Sequence, residues 1–269
     1  MWKALLAAVV LAAGVALAML MDRPAPPADV VFVNRGDVKT MDLQRMSWMQ
    51  DLRVAAAIYE GLVVNDIFSP GFEKVPGVAE RWEISDDGRT YTFHLRGDAR
   101  WSNGDPVTAR DFVYSWRRAL LPDLAGDYVT LFQLIEGGKE FWDWRDQALK
   151  TFLAESHDQP RPQDAQALYT LTLKKFDEIV ACKALDDRTF QVRLVRRTPY
   201  FLDLCAFEVF APVYGPTVEK HQHPSPYTGR LEFDQAWTKP PYLVSNGPFV
   251  LTSWRFKRDM RLDRNPHYW

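Results

Sequence analysis

The residues with the most reactive side chains are scattered along this sequence rather than grouped. His221 and His223 are separated by one residue, which is a weak metal-binding signal, and the proline-containing segment around them is typical of a solvated loop. Cys182 and Cys205, the only cysteines, lie in separate predicted elements and carry no motif of a nucleophile. They are compatible with one disulfide or with two buried thiols. We expect neither a metal site nor a cofactor.

Two pairs of adjacent acidic residues, which could do general acid–base chemistry, occur where turns are predicted. Asp86-Asp87 and Asp186-Asp187 each lie between two strand-like segments, a place where aspartate is favoured for local hydrogen bonding. The sequence contains no G-x-S-x-G, H-E-x-x-H, P-loop or G-x-G-x-x-G motif. We therefore expect a binding protein rather than an enzyme.

The overall charge of the chain is nearly balanced. Lysine and arginine number 33 against 35 aspartates and glutamates, so the net charge of −2 gives no basic excess for binding nucleic acid. Apolar residues make up 47% of the chain, which is enough for one large domain or two smaller ones. Ten tryptophans supply large contact areas, as a thick core or a binding cleft requires.

The first 21 residues have the pattern of an export signal. Lys3 precedes an uncharged run of 18 residues, Ala4 to Met21, which is about 27 Å long as a helix. Ala16-Leu17-Ala18 resembles a signal-peptidase site, so residues 1–21 are either a secretory signal or an uncleaved membrane anchor. Residues 22–27 are a Pro-rich linker. We expect a periplasmic or extracytoplasmic protein, which contacts the membrane through this segment if it is not cleaved.

Strand-like and helix-like segments follow one another along the rest of the chain without a regular β-α-β order, which predicts an α+β fold. Asp87-Gly88 forms the turn of one predicted hairpin. Thr108 with Asp111 resembles a capping box at the start of a helix. The predicted strands include 30–34, 179–185 and 189–195, and the predicted helices include 51–62, 141–154, 162–175 and 200–207.

Four stretches of the sequence occur together in one protein family. The longest begins at Pro76 and reads PGVAERWEISDDGRTYTFHLRGDARWSNGDPVTARDFVYSWRR; the others read VNRGDVKTMDL, KALDDRTFQVRL and SNGPFVLTSWRFKRDMRLDRNPHYW. In this order they resemble the extracellular solute-binding proteins of the oligopeptide and dipeptide transport class. The resemblance covers nearly all of residues 30–269. Residues 136–173 fit it poorly and are interpreted as an insertion.

The resemblance implies a periplasmic-binding-protein-like lobe with a smaller α+β domain inserted into it. The lobe would consist of residues 28–64 and 179–269, and the inserted domain of residues 65–178. Members of the family continue well past the final NPHYW, and that part builds a second lobe, which is missing here. The sequence would then be a fragment, half of a split gene or a one-lobed relative.

The same resemblance implies a non-catalytic substrate-binding component of a peptide ABC transporter. Such a protein captures extended oligopeptides and delivers them to permease subunits in the membrane. Nickel-, haem- and murein-peptide-binding members share these blocks, so the ligand class stays open. Two other interpretations remain: a non-transport interaction protein or degenerate fragment, and an exported carbohydrate-active hydrolase with tryptophan-lined subsites.

Five residues correspond, by their positions in the sequence, to ligand-binding positions of the family that the chain resembles. Ser47, Trp48 and Met49 correspond to the loop that hydrogen-bonds the ligand backbone, Tyr128 to an aromatic over the cleft, and Asn246 to the cleft floor. Each also has a structural interpretation, because a residue before a helix can pack against that helix and an aromatic can belong to a core.

The aromatic-rich stretch from Phe93 to Leu120 is predicted to be structural rather than part of a ligand site. Its apolar residues alternate in the hairpin and then recur at helical spacing, as expected for two surfaces that pack on each other. We expect Trp101, Phe112 and Trp116 to be buried together as the core of the inserted domain.

Overall fold

The computed structural model describes residues 2–21, 27–156 and 158–269 of the chain. Most of the linker predicted over 22–27 lies outside these described residues. The chain divides into two units, one within residues 1–35 and one from Gly36 to Trp269, and the second unit contains every residue predicted at a ligand.

In the N-terminal unit, the uncharged run that follows Lys3 forms the helix α1 (Trp2–Met21). Among the described residues, no helix has the length and apolar character needed to cross a bilayer. Whether residues 1–21 act as a signal or an anchor stays a prediction. The strand predicted over 30–34 is wrong, since Val30 and Val33 are 81% and 91% exposed and residues 30–34 form no strand. A strand needs a hydrogen-bonded neighbour, and the described part of this unit supplies none.

The described helices of the second unit include four of ten or more residues and three of about one turn. They are α2 (Met49–Ile58), α3 (Ala109–Ala119), α4 (Val129–Phe132), α5 (Gly138–Ser156), α6 (Pro162–Ile179), α7 (Phe201–Cys205) and α8 (Gly215–Val218). Short 3-10 turns lie at Leu43–Arg45, Pro122–Leu124, Glu208–Phe210, Glu219–His221 and Gln235–Thr238. The predicted capping box is confirmed, because Thr108 and Asp111 exchange both of its hydrogen bonds at the start of α3.

The strands of the described residues pair in small antiparallel sheets. They are β1 (Val63–Asn65), β2 (Lys74–Pro76), β3 (Ala79–Ile84), β4 (Thr90–Leu95), β5 (Cys182–Ala184), β6 (Thr189–Arg193), β7 (Gln222–Pro224), β8 (Leu231–Phe233), β9 (Phe249–Arg255) and β10 (Asp259–Arg264). The largest sheet has the order β3-β4-β6-β5, and the pairs β1-β2, β7-β8 and β9-β10 form two-stranded sheets. This mixture of helices and antiparallel strands confirms the predicted α+β fold.

The four-stranded sheet joins parts of the chain that the sequence assigned to different domains. β4 belongs to the predicted inserted domain and β6 to the second part of the predicted lobe, yet they pair with Phe93 opposite Phe190. The domain boundaries at 64/65 and 178/179 stay a prediction, and the sheet runs across the second one. The hydrophobic core under this sheet is therefore shared by the two segments.

α3 covers one face of this sheet with large aromatic side chains. Trp116 and Phe112 both contact Phe190, with ring centroids 4.8 and 5.7 Å apart. The indole N–H of Trp116 donates to the carbonyl of Phe210 at 2.9 Å, so the one polar atom of this ring is satisfied. Trp101, Phe112 and Trp116 all have 0% exposure and belong to one core cluster, so their burial together is confirmed. The cluster also contains Phe190 and Phe210, which lie outside residues 65–178, so it is not the core of the predicted inserted domain alone.

Two buried arginine–aspartate pairs tie distant parts of the second unit together. Arg118 in α3 donates two hydrogen bonds of 2.6 Å to Asp42, which precedes the 3-10 turn before α2. Arg145 in α5 donates to Asp123 at 2.8 and 3.1 Å and to the carbonyl of Gly229 at 2.9 Å. Removing one member of either pair would leave a buried charge without its partner, at a cost of several kcal/mol, so each pair fixes how the two segments that it joins are placed.

Candidate functional site

In the segment Ser47–Met49, Ser47 and Trp48 form an extended loop that leads into α2, and Met49 is the first residue of that helix. The backbone on either side of Ser47 is extended, with φ, ψ of −71°, 142° at Met46 and −105°, 138° at Trp48. Among the described residues, the N–H and C=O of Ser47 have no hydrogen-bond partner. The side chains of Trp48 and Met49 are 59% and 63% exposed. The loop therefore offers both free backbone groups and an apolar contact surface to a ligand.

Buried polar contacts beneath the loop hold it in this conformation. The carboxylate of Asp51, in the first turn of α2, accepts the backbone N–H of Lys39 at 2.8 Å. Gln44 accepts a hydrogen bond of 2.8 Å from Arg118, and its amide lies 3.5 Å from the carbonyl of Val209. Trp48 itself closes the start of α2, because its carbonyl accepts the N–H of Asp51 at 3.0 Å. The loop is thus anchored at both ends, and its centre stays unpaired.

Tyr128 lies on a segment next to this loop and is half-buried rather than fully buried. Its ring meets Phe207 edge to face, with centroids 5.0 Å apart and planes at 83°. Gly126, two residues earlier, lies so close to the turn before Ser47 that a Cβ there would be 2.5 Å from the carbonyl oxygen of Gln44. The structure therefore places the Tyr128 segment against the turn that precedes the Ser47–Met49 loop. The contact of Tyr128 with a ligand stays a prediction.

Glu208, which sequence reasoning missed, lies beside this aromatic pair. It begins a 3-10 turn that packs against α2 and against the turn Leu43–Arg45. Its carboxylate has no ion-pair partner within the described residues, and burial raises its pKa. The one signal in the sequence is a single charge inside the apolar run from Leu204 to Val213. A half-buried carboxylate without a cation is a candidate for binding a cationic group of a ligand.

Asn246 has a different place in the structure. It is fully buried, and its side-chain amide is hydrogen-bonded to the backbone of Glu60. Glu60 follows the C-terminal end of α2, whereas the Ser47–Met49 loop precedes its N-terminal end, about 15 Å away along a helix of ten residues. The structure therefore does not bring Asn246 to the loop. Its contact with a ligand stays a prediction, and its observed contacts position the backbone after α2.

His221, His223 and the two cysteines are accounted for by local surroundings. His221 lies 3.0 Å from Asp234, and His223 lies 3.3 Å from Glu232, each as a separate pair. Within the described residues, no three histidine, cysteine or acidic side chains are grouped so that they could hold a metal ion. Cys182 and Cys205 are both buried and unbonded, so the two-thiol alternative applies, and burial raises the pKa of both thiols.

Comparison with protein families identifies one match, which covers most of the second unit. Residues 73–269 match the model described as bacterial extracellular solute-binding proteins, family 5 Middle. The periplasmic oligopeptide-binding protein OppA of Salmonella typhimurium is 32% identical over 271 residues, which cover 96% of this chain and 42% of the relative. The oligopeptide-binding protein OppA of Bacillus subtilis is 33% identical over 197 residues, covering 73% of this chain and 29% of the relative.

Solved structures give the same result for the fold. The crystal structure of Haemophilus influenzae OppA in complex with the peptide RPPGFSPFR matches with a TM-score of 0.67 and 30% identity, over 88% of this chain and 38% of that one. The substrate-binding domain of an oligopeptide ABC transporter from Bacillus anthracis matches with a TM-score of 0.66 and 30% identity, over 87% of this chain and 37% of that one. The chain thus spans about two fifths of the length of these relatives.

Proposed function

This chain belongs to family 5 of the bacterial extracellular solute-binding proteins, and we propose that it takes part in capturing extended oligopeptides for delivery to the permease of an ABC transporter. The proposal draws on relatives named as oligopeptide-binding proteins and on a relative solved with a bound peptide. It assigns the protein a binding activity rather than an enzymatic one. It also assigns residues 1–21 to export into the periplasm, or to anchoring at the membrane.

The observation that carries this proposal is the unpaired, extended backbone at Ser47. An extended peptide can add to such a segment as a strand does, because its own N–H and C=O groups replace the missing partners. Recognition of this kind depends on the peptide backbone and not on its side chains, so it tolerates many sequences. The exposed side chains of Trp48 and Met49 would contact the peptide on either side of that hydrogen-bonded centre.

Tyr128, Phe207 and Glu208 would contribute to binding one of the ligand's side chains or its amino terminus. The edge-to-face pair of Tyr128 and Phe207 supplies an apolar wall that is partly open to solvent. Glu208 adds a carboxylate that has no cation of its own among the described residues. A peptide ammonium or a lysine side chain would provide the opposite charge, and the half-buried position strengthens that attraction relative to bulk water.

The proposal is tested by locating where a peptide approaches the protein. A pentapeptide with a nitroxide spin label is titrated into the isotope-labelled chain, and line broadening is read at each backbone amide. We expect broadening to be strongest at Trp48, Met49 and the residues around Tyr128. Ser47→Pro removes the free N–H and should abolish the effect, whereas Ser47→Ala retains it and is the matched control. The extended backbone of Met46 is compatible with a following proline.

The result also separates the other two interpretations of the sequence. Broadening elsewhere on the surface, or none with any peptide, would contradict the proposed site and favour an interaction protein. Broadening by spin-labelled oligosaccharides but not by peptides would favour a carbohydrate-binding protein. Ser47→Pro with unchanged broadening would show that the free backbone is not used.

A further inference from the structure

A groove lies between the flank of α3 and β5, away from the candidate site. Its volume is about 560 Å³. α3 contributes Arg110, Val113, Tyr114 and Arg117, whose spacing of three and four residues places them on one face of the helix. β5 (Cys182–Ala184) forms the opposite wall. The groove is therefore bounded by a regular helix face and by one strand of the four-stranded sheet.

β5 is an edge strand. The N–H of Cys182 donates to the carbonyl of Val180, whereas the outward backbone groups of Ala184 have no partner in the described part of the chain. Among the described residues the sheet ends at β5, which pairs with β6 alone. On the β6 side, the carbonyl of Ala181 accepts the N–H of Arg193, and Leu185 donates its N–H to the carbonyl of Thr189. By the antiparallel alternation, Ala184 therefore points its N–H and C=O away from β6. No partner within the described residues takes up these two groups. An extended segment could add to this edge.

Positive charge surrounds the free edge. Arg117 and Lys183 have no ion-pair partner in the part of the chain that the structure describes, and Arg110 has only the exposed Asp187, 3.3 Å away. Asp177 is the single acidic residue that lines the groove. The guanidinium of Arg117 lies over the ring of Tyr114, 5.5 Å from its centroid, which limits its freedom to move. The groove thus combines three cations with one carboxylate.

We propose that this groove binds an acidic peptide segment of another protein, which adds to β5 as an extended strand. The backbone of Ala184 would pair with the backbone of the segment, and Arg110 and Arg117 would pair with its carboxylates on the α3 side. Lys183, whose side chain points to the opposite face of β5, would add positive charge at the same edge. This site is separate from the candidate peptide site. Arg118, which supports the Ser47–Met49 loop through Asp42, follows Arg117 directly and so points about 100° away around α3.

The test uses the whole chain and a fluorescein-labelled peptide with blocked ends, acetyl-Asp-Val-Glu-Val-Asp-amide, followed by fluorescence polarisation. Arg110→Glu with Lys183→Glu reverses two exposed charges and should weaken binding by about tenfold or more. The matched control, Lys174→Glu with Lys220→Glu, reverses two exposed charges outside the groove and should change binding little. Binding should also weaken as salt concentration rises.

Two further measurements separate strand addition from simple charge attraction. Ala184→Pro removes the outward N–H without removing a bond to β6, so it should weaken binding while the thermal midpoint stays near that of the unaltered chain. The same peptide with alternate amides N-methylated should bind about tenfold more weakly or worse. Equal binding of the methylated peptide, an unchanged affinity in Ala184→Pro, or equal losses in the two charge-reversal variants would each overturn the proposal. The Ser47→Pro variant should bind this peptide normally, so failure here is distinguishable from failure of the candidate peptide site.

Discussion

The side chain of Asn246 accepts one hydrogen bond from the backbone of Glu60 and donates another to it, although the two residues are 186 positions apart in the sequence. Its Oδ1 accepts the N–H of Glu60 at 3.1 Å, and its Nδ2 donates to the C=O of the same residue at 2.9 Å. The next residue, Gly247, donates its N–H to the carbonyl of Ile58 at 2.8 Å. Together these bonds replace the helical partners that the backbone loses where α2 ends. Asn246 thereby fixes the direction in which the chain leaves α2.

Replacing Asn246 should therefore affect stability. Asn246→Ala leaves the part-buried N–H and C=O of Glu60 without partners, and we expect it to lower the free energy of unfolding by about 1–3 kcal/mol. Urea unfolding followed by tryptophan fluorescence measures this loss. Gln163→Ala, on the exposed side of α6, is the matched control and should change stability by less than about 0.5 kcal/mol. An Asn246→Ala chain as stable as this control would mean that the two bonds do not form in solution.

Removing one member of the buried pair Arg145–Asp123 should lower the free energy of unfolding by more than removing both members. Arg145→Met leaves the Asp123 carboxylate buried without a cation, and we expect a loss of about 3–5 kcal/mol. The double variant with Asp123→Leu removes both charges and should recover part of that loss. A cycle of single and double variants, measured by urea unfolding, gives the coupling directly. Lys139→Ala removes an exposed ion pair with Asp143 and should lower the free energy of unfolding by at most about 0.5 kcal/mol. Equal losses for Lys139→Ala and Arg145→Met would contradict the expectation.

Trp116 should be one of the most sensitive positions of the core. It has 0% exposure and contacts Phe132, Phe190 and Phe210, so Trp116→Ala should lower stability by about 3–5 kcal/mol. Thermal unfolding with a calorimeter measures the effect. Trp48→Ala removes an indole that is 59% exposed and serves as the control, with little expected change in the midpoint. An unchanged midpoint for Trp116→Ala would show that this ring is not in the core.

The free energy of unfolding should change with pH partly because the half-buried carboxyl of Glu208 changes its protonation. Burial raises its pKa in the folded state, so folding favours the protonated form. Its contribution to stability is present below the pKa of the unfolded chain, about 4.3, and is lost as the pH rises through the higher folded pKa. Glu208→Gln stays neutral and should therefore be more stable than the unaltered chain near neutral pH. The difference should shrink as the pH falls below about 4.

Urea midpoints at a series of pH values measure this difference, and Glu83 provides a control of opposite sign. Hydrogen bonds from Arg81 and His94 lower the pKa of the Glu83 carboxyl, so folding favours its charged form. Glu83→Gln should accordingly lose stability above the unfolded pKa and change little below it. A Glu208→Gln chain whose advantage is the same at every pH would contradict the assigned desolvation of Glu208.

The 269-residue chain by itself should bind oligopeptides very weakly. Its candidate site is an open surface, and a peptide lying on it keeps most of its own hydration. Each backbone hydrogen bond then contributes only about 0.5–1.5 kcal/mol, against the entropy of fixing a flexible peptide. Calorimetric titration with a mixture of tri- to pentapeptides measures this binding. Saturable micromolar binding by a monomer, equivalent to about −8 kcal/mol, would contradict the prediction.

Several elements were predictable from the sequence because their signals are local. The start of α3 is encoded by Thr108 and Asp111, three residues apart, and its buried face by Phe112 and Trp116 at helical spacing. The β3–β4 hairpin is encoded by its turn and by alternating residues. The resemblance to solute-binding proteins was equally readable, since it depends on the order of short blocks. In each case the signal lies in residues that are close together in the sequence, so periodicity, capping and short motifs reveal it.

The candidate site depends on contacts that no local pattern contains. Ser47 was placed in a ligand loop by resemblance, but its unpaired backbone follows from how Arg118, Asp42 and Gln44 hold the turn before it, across more than 70 residues. Glu208 and Tyr128 come together only because their segments pack against the same short turn. Asn246 lies elsewhere, because its side chain is hydrogen-bonded to the backbone of Glu60. The strand expected over 30–34 did not form, since a strand requires a partner as well as a suitable sequence. The sequence by itself thus determined the helices, the hairpins and the family. The tertiary structure decided which polar groups have hydrogen-bond partners and which are left for a ligand, because those partners come from residues distant in the chain.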